Sequence, residues 1–183
     1  MEAQVSDRYV VVDVETANRS RASICQIGIV LVSGGEIVDE HVTLVDPDQA
    51  FDPFNSKLHG IDAEDVRAAP TFPMAFERLE EWFYGHPVLG HSHFDKAAFR
   101  AEFTRWNITP RDIHWGDSIP IIRKAFPKIP GGYGLANLTA HFGISFSHHD
   151  ALEDARATAQ IVIKALSQFD APAWDVMRFE GNV

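Results

Sequence analysis

The first part of the sequence contains three stretches that are rich in Val and Ile. They read YVVVDV, ICQIGIVLV and EIVDEHVTLV. Runs of β-branched residues of this length are typical of strands. Between the second and third stretches, SGGE supplies two adjacent glycines, which permit the positive φ angles of a tight hairpin. We therefore predict three strands, with the second and third antiparallel.

Farther along the chain, apolar residues recur at the spacing of amphipathic helices. Pro73 suits the first turn of one such helix, and Gly143 suits the end of another. In the last helix the predicted buried face carries five residues: Leu152, Ala155, Ala159, Ile163 and Leu166. The four predicted helical segments are FPMAFERLEEWF, FDKAAFRAEFTRW, LANLTAHFG and DALEDARATAQIVIKALSQF.

The order of these elements predicts an α/β fold. PVLGH and DIHWGDS fit short strands between helices, whereas VDPDQAFDPFN is typical of a loop. Three strands followed by alternating helices and strands indicate a mixed five-stranded sheet with helices on both faces. Because no repeat or low-complexity linker divides the sequence, we predict one domain over residues 1–183, with 170–183 as a C-terminal tail.

Composition and charge narrow the classes of function. The chain has 183 residues, of which 45% are hydrophobic and 23% charged, so it is neither disordered nor membrane-spanning in character. Its formal net charge of −10 argues against a long footprint on duplex nucleic acid, which needs many Lys and Arg residues. A short nucleic-acid contact is still compatible with this charge, since part of the acidity could belong to a metal site.

Two further features favour a cytoplasmic location. The start, MEAQVSDRY, lacks the apolar segment of a secretion signal. Cys25 is the single cysteine of the chain and has no partner for an internal disulfide.

Carboxylates occur at three places that solvation alone does not explain. Asp13 and Glu15 stand two apart in a predicted strand, so they share one face and repel each other. Asp95 follows a short strand at the start of a helix, and the helix dipole favours a negative charge there. Asp154 lies roughly opposite Leu152 on the last helix, where its own position predicts solvent exposure. Oxygen-rich groups of this kind are the ligands that Mg²⁺ prefers.

Two adjacent histidines precede the last helix. His149 stands five residues before Asp154, a separation that does not place two residues on one helical face. His149 could therefore act on a water from the loop while Asp154 holds a metal. On an extended approach to the helix, His148 should point to the opposite side.

Three segments resemble the motifs of a known family. VVDVETA, GHSHFD and HHDALEDA are similar, in order and spacing, to the three exonuclease motifs of the DEDDh family, the DnaQ-like and RNase T-like 3′→5′ exonucleases. NSKLHGI resembles a segment that members carry between the first two motifs. The resemblance covers nearly the whole chain and implies an RNase H-like fold. Ser92 is a departure, because the family often has Asn there.

The resemblance also implies an activity and a set of site residues. The activity is release of nucleoside 5′-monophosphates from 3′ ends of single-stranded DNA or RNA, or from short oligomers, with two divalent cations, Mg²⁺ or Mn²⁺, about 4 Å apart. His149 would be the general base, and Thr16 would lie at the sugar of the terminal nucleotide. Implied metal ligands, also catalytic, are Asp13, Glu15, Asp95 and Asp154, and implied substrate-binding residues are Val14, Thr16, Leu58 and His59.

Three alternatives compete with this interpretation. A phosphatase with an aspartyl nucleophile is disfavoured, because its second acid is generally Asp whereas this chain has Glu15. A tyrosine variant of the exonuclease family is disfavoured by Asp150, four residues before Asp154. The remaining alternative is a noncatalytic module that binds nucleic-acid ends or a polymerase.

The C-terminal tail leaves the question of partners open. It contains Trp174, Met177 and Phe179, which are expected to pack on the domain itself. Docking of a polymerase or of a second copy of the chain is the alternative.

Overall fold

The computed structural model describes residues 7–171, 173–177 and 179–180. The strands are β1 Arg8–Thr16, β2 Ile24–Ser33, β3 Glu36–Leu44, β4 Val88–Gly90, β5 Trp115–Asp117 and β6 Phe179–Glu180. They form one sheet in the order β3-β2-β1-β4-β5-β6. The pairs β1–β2, β2–β3 and β5–β6 are antiparallel, whereas β1–β4 and β4–β5 are parallel.

The predicted mixed five-stranded sheet is thus confirmed, and a two-residue strand extends its edge. The hairpin between β2 and β3 is confirmed as well. Gly34 and Gly35 have φ angles of 61° and 80°, which glycine adopts without the steric cost of a Cβ atom.

Helices connect and cover the strands. Their bounds are α1 Pro53–His59, α2 Phe72–Tyr84, α3 Phe94–Arg105, α4 Ser118–Ala125, α5 Leu135–Phe142, α6 Ala151–Leu166 and α7 Ala173–Val176. Gly143, with a φ of 66°, ends α5 as predicted, and Pro73 lies in the first turn of α2.

Three of these helices, α1, α4 and α7, differ from the pattern-based prediction. The loop predicted over VDPDQAFDPFN is wrong at its end, because α1 begins at Pro53. Asp52 caps this helix by accepting a hydrogen bond from the N–H of Phe54. Likewise α4, which the pattern did not predict, begins after Asp117, whose side chain accepts from the N–H of Ile119. Short helices of this kind depend on caps and tertiary contacts more than on periodicity.

Helices cover both faces of the sheet at its central strands, whereas most side chains of the edge strand β3 are exposed. Val10, Val12 and Val14 of β1 pack into one core with α2 and α3, including a group of aromatic rings around Phe99. The alternate face of β1, with Val11, packs into a second core beneath α4, α5 and α6. Asp13 and Glu15 continue this second face, so the alternation of β1 directs both carboxyls toward α6.

The described part of the tail beyond residue 170 packs on the domain. Val176 and Met177 are buried in the core beneath α6, which agrees with the expected packing of Met177. The side chains of Trp174 and Phe179 lie outside the described residues. Within the described ranges, none of the helices has both the length and the apolar character that crossing a bilayer requires.

Candidate active site

Three carboxyl groups converge where β1 meets the beginning of α6. Asp13 and Glu15 extend from β1, and Asp154 extends from the first turn of α6. Each side chain offers an oxygen atom, and these oxygens all lie within 4.8 Å of one another. The predicted common face of Asp13 and Glu15 is therefore present in the structure, and it includes a third acid from a distant part of the sequence.

The exposure predicted for Asp154 from its helical position is wrong. Asp154 is only 3% exposed. The buried face of α6 runs through Ala151, Asp154 and Thr158, whereas Leu152 at its edge is only partly buried. The spacing of residues along a helix shows which of them share a face. Which of these faces is buried is decided by the contact of α6 with β1 and β2.

Residues of β2 hold the beginning of α6 in place. The side-chain Oε1 of Gln26 accepts a hydrogen bond from the N–H of Ala151 at 2.9 Å. A Cβ atom on Gly28 would lie 2.3 Å from the carbonyl carbon of Ala151, so only glycine permits this approach. Asp150 caps the helix by accepting from the N–H groups of Leu152 and Glu153. The sequence patterns did not indicate Gln26 or Gly28; the N-cap aspartate was the one local signal available.

Asp95 reaches the same region from α3, which packs on the opposite face of the sheet. It lies in the first turn of α3, is 2% exposed, and its Oδ1 accepts from the N–H of Val14 at 3.2 Å. Gly90 gives it room, because a Cβ atom there would lie 2.8 Å from Oδ2 of Asp95. Among the described residues, Asp95 is not part of the group with oxygens within 4.8 Å. Its charge is nevertheless close enough to raise the pKa of Asp13.

Burial and mutual repulsion make these acids hard to ionise without a cation. Burial, followed by the charges of Asp95, Asp154 and Glu15, raises the pKa of Asp13 well above its usual range. Burial and the charges of Asp154 and Asp95 raise the pKa of Glu15 to about 8. Burial raises the pKa of Asp95 to about 7, although hydrogen bonds from backbone N–H groups oppose the rise. The donor set therefore fits a divalent cation, whose charge would offset this repulsion.

Both histidines before α6 lie on the side of the acids, so the prediction that His148 points away is wrong. Nδ1 of His148 is 2.8 Å from Oδ1 of Asp154. The backbone N–H of His149 donates to Oδ2 of Asp154 at 3.0 Å, and its Nδ1 is 3.9 Å from Oε1 of Glu15. The two imidazole rings stack with centroids 4.0 Å apart. His149 has a φ of 67°, which turns the loop and cancels the alternation of an extended chain.

Asp13, Glu15 and Asp154 line a cavity of about 540 Å³, whereas Asp95 is not among its lining residues. Val14, Thr16 and Leu58, three of the predicted substrate-binding residues, line this cavity together with His149. Leu58 is 43% exposed, so its side chain is accessible from the cavity. Burial lowers the pKa of His149, which favours the neutral imidazole.

The fourth predicted substrate-binding residue, His59, is engaged with the protein. Its Nδ1 accepts from the N–H of Ile61 at 3.1 Å, so its Nε2 carries the proton and donates to the carbonyl oxygen of Thr16, 3.2 Å away. The side chain of Asn55 donates to the same carbonyl at 2.8 Å. His59 and Asn55 thus fix the end of β1 beside the acids.

Ser92, the residue that departs from the resembled motif, has a strained backbone. Its φ is 86°, in the left-handed region that disfavours residues with a Cβ atom. The N–H of Ser92 lies 3.3 Å from Oδ1 of Asp117, and its Oγ accepts from the N–H of Phe94 at 3.3 Å. Asn tolerates left-handed φ better than Ser, so the Asn that the resemblance leads us to expect at this position would be less strained.

Comparison with solved structures shows which fold the chain has. The nuclease domain of 3′hExo, described as a DEDDh family member bound to rAMP, matches with a TM-score of 0.75 and 20% identity, covering 95% of this chain and 96% of that one. Exonuclease X in complex with 5′ overhanging duplex DNA matches with a TM-score of 0.70 and 22% identity, covering 92% and 98%. The fold is that of the RNase H-like exonucleases, as the sequence predicted.

The sequence family is equally clear. The family model RNase_T, described as an exonuclease, matches residues 10–162. The chain belongs to this exonuclease family, in agreement with the exonuclease family that the sequence resemblance indicated.

Curated relatives contain this domain within much longer proteins. A PolC-type DNA polymerase III of Caldanaerobacter subterraneus is 30% identical over 171 residues, covering 91% of this chain and 12% of the relative. The 3′-5′ exonuclease DinG of Staphylococcus aureus is 29% identical over 174 residues, covering 93% of this chain and 19% of the relative.

Proposed function

We propose that this chain is a metal-dependent 3′→5′ exonuclease that releases nucleoside 5′-monophosphates from single-stranded or short nucleic acid. The observation that carries the proposal is the convergence of Asp13, Glu15 and Asp154 in the wall of a cavity. Because a terminus needs only a small pocket, the activity is compatible with a net charge of −10. Residues 1–183 act as one exonuclease domain in this proposal.

Asp13, Glu15, Asp95 and Asp154 would hold two divalent cations, Mg²⁺ or Mn²⁺. Bound cations of this kind lower the pKa of an attacking water and stabilise negative charge on the leaving oxygen. Asp95 would act from the opposite face of β1, where its hydrogen bond to Val14 fixes the direction of its carboxyl group. The raised pKa values of Asp13 and Glu15 support this role, since burying three acids together without a cation is costly.

His149 acts as the general base in this proposal and accepts the proton of the attacking water. Its imidazole lies beside Glu15, with 3.9 Å between Nδ1 and Oε1, at the edge of the acid cluster. His148 has a different part: its Nδ1 lies 2.8 Å from Oδ1 of Asp154 and orients that carboxylate. Such partners of a ligand commonly tune metal affinity rather than carry out proton transfer.

The terminal nucleotide would lie along the wall formed by the end of β1 and α1. Thr16 and Val14 would contact its sugar, and the exposed side chain of Leu58 would contact its base. His59 would support this wall from behind, because both of its ring nitrogens bond to the chain itself. Contact of His59 with the base remains a prediction from the family resemblance.

Relatives extend the proposal to partners. One relative is a PolC-type DNA polymerase, which suggests a polymerase as a partner. The chain spans only 12% of that relative and 19% of a DinG exonuclease, so association with a polymerase is a hypothesis for this chain. The buried Met177 supports packing of the tail on its own domain over docking of a second copy.

Digestion of a 5′-labelled single-stranded oligonucleotide tests the function. We expect a ladder of products shortened from the 3′ end in Mg²⁺, no products in EDTA, and protection by a 3′-phosphate. DNA and RNA of the same sequence should be compared side by side. Efficient cutting of a circular single strand would contradict the exonuclease assignment, and binding of 3′ ends without any turnover would favour a noncatalytic module.

A further inference from the structure

The cavity that contains the acids also collects exposed apolar side chains. Among the described residues, the large apolar side chains that are exposed are Val38, Val42, Phe54, Leu58, Met74 and Phe94. Phe54, Leu58 and Phe94 all line this cavity, although they come from α1 and α3. An apolar surface held open to solvent beside an acid cluster suits the faces of nucleobases, which stack on such side chains.

Two arginines lie at the rim of the same cavity. Arg19 and Arg21 belong to the loop between β1 and β2, a few residues after Glu15, and both line the cavity. The guanidinium carbon of Arg21 lies 5.4 Å from the ring centroid of Phe94, so the loop reaches across to the beginning of α3. The charge therefore changes from negative at the acids to positive at the rim.

Fold stability does not account for both arginines. The side chain of Arg19 is 93% exposed and its Nε lies 3.8 Å from Oδ2 of Asp52, a long pair in solvent. Such pairs contribute little to stability. The chain has a net charge of −10. Two positively charged side chains beside its acidic cavity would therefore attract an anion to that place.

We propose that Arg19 and Arg21 form a subsite for the phosphate on the 5′ side of the scissile bond. The inference rests on the proposed exonuclease function and defines its substrate class: single strands with at least one phosphate beyond the one that is cleaved. Guanidinium groups suit this role because they form paired hydrogen bonds to phosphate oxygens. Phe94 holds Arg21 over the cavity.

A pair of minimal substrates tests the subsite. The dinucleotide dTpdT contains only the scissile phosphate, whereas pdTpdT adds a phosphate at the position assigned to the arginines. We expect the wild-type protein to prefer pdTpdT in kcat/KM by roughly 10-fold, the usual worth of one charge-assisted phosphate contact. Arg21→Ala, and more so the double variant with Arg19→Ala, should remove this preference, and Arg21→Lys should keep part of it.

Two controls separate the subsite from the catalytic centre. The p-nitrophenyl ester of thymidine 5′-monophosphate has no nucleotide on the 5′ side, so the arginine variants should hydrolyse it at the wild-type rate. Arg67→Ala removes an exposed arginine that pairs with Glu64, outside the residues lining the cavity, and should leave the preference intact. If the wild-type protein does not hydrolyse this ester, the result would count against the proposed function and not against the arginine subsite.

Measuring the equilibrium binding of the two dinucleotides tests the inference without depending on turnover. In EDTA, wild type should bind pdTpdT roughly 10-fold more tightly than dTpdT, and Arg21→Ala should bind the two equally. Equal binding of both dinucleotides by wild type, or an unchanged preference in the double arginine variant, would overturn the proposal.

Discussion

Nδ1 of His148 lies 2.8 Å from Oδ1 of Asp154, the acid that α6 contributes to the cluster. The backbone N–H of the next residue, His149, donates to the other oxygen of that carboxylate at 3.0 Å. The carboxyl group is therefore held at both oxygens by the loop before its own helix. The two adjacent histidines thus hold Asp154 in different ways: His148 contacts it through its ring, and His149 through its backbone N–H.

This arrangement predicts different effects for the two histidines. His149→Ala should lower kcat by roughly 10²- to 10⁴-fold at saturating Mg²⁺, because it removes the proposed general base. His148→Ala should instead weaken metal affinity by roughly 10- to 100-fold, and excess Mg²⁺ should restore its rate. Steady-state rates measured across a Mg²⁺ titration distinguish the two. If excess Mg²⁺ restores His149→Ala and not His148→Ala, the assigned parts are reversed.

Asp13→Asn separates activity from stability. The variant should lose nuclease activity, since it removes a proposed ligand, and should unfold at a higher temperature than wild type in EDTA. The reason is that the neutral amide relieves the repulsion from Asp95, Asp154 and Glu15 that raises the pKa of Asp13. Thermal unfolding in EDTA and in Mg²⁺ measures both effects. Wild type should gain more stability from Mg²⁺ than the variant, and equal gains would argue against Asp13 as a ligand.

The same acids predict how the stability of the metal-free protein depends on pH. The pKa of Glu15 rises from 4.5 to about 8 and that of Asp95 from 3.8 to about 7 on folding. Because the folded state then binds more protons than the unfolded state, stability should fall as pH increases through this window. Denaturant unfolding in EDTA at several pH values measures the slope. Glu15→Gln should flatten it, and a stability that rises over the same window would contradict the assignment.

Ser92 offers a substitution that should stabilise the fold. Its φ of 86° costs a residue with a Cβ atom on the order of 1 kcal/mol. Ser92→Asn should recover part of this cost and still accept the hydrogen bond from Phe94, whereas Ser92→Gly removes the strain and the acceptor together. Urea unfolding should show that the Ser92→Asn variant is more stable than the Ser92→Gly variant, and that Ser92→Ala is less stable than wild type.

Local patterns in the sequence determined the features that depend on neighbouring residues. The two-residue period of a strand places Asp13 and Glu15 on one face, and this holds in any sheet that β1 joins. Gly34 and Gly35 determine the hairpin for the same local reason, since their positive φ angles need no distant contact. The family motifs added Asp95 and Asp154, which no local pattern connects.

Tertiary contacts decided the rest of the site. Asp154 is buried because Gln26 and Gly28 of β2 hold the beginning of α6 against the sheet, and a helix on its own has no means of showing which face a distant strand will cover. The direction of His148 follows from a left-handed turn at His149, a backbone state that alternation along an extended chain does not predict. Periodicity describes a chain relative to itself, whereas an active site depends on how elements far apart in sequence meet.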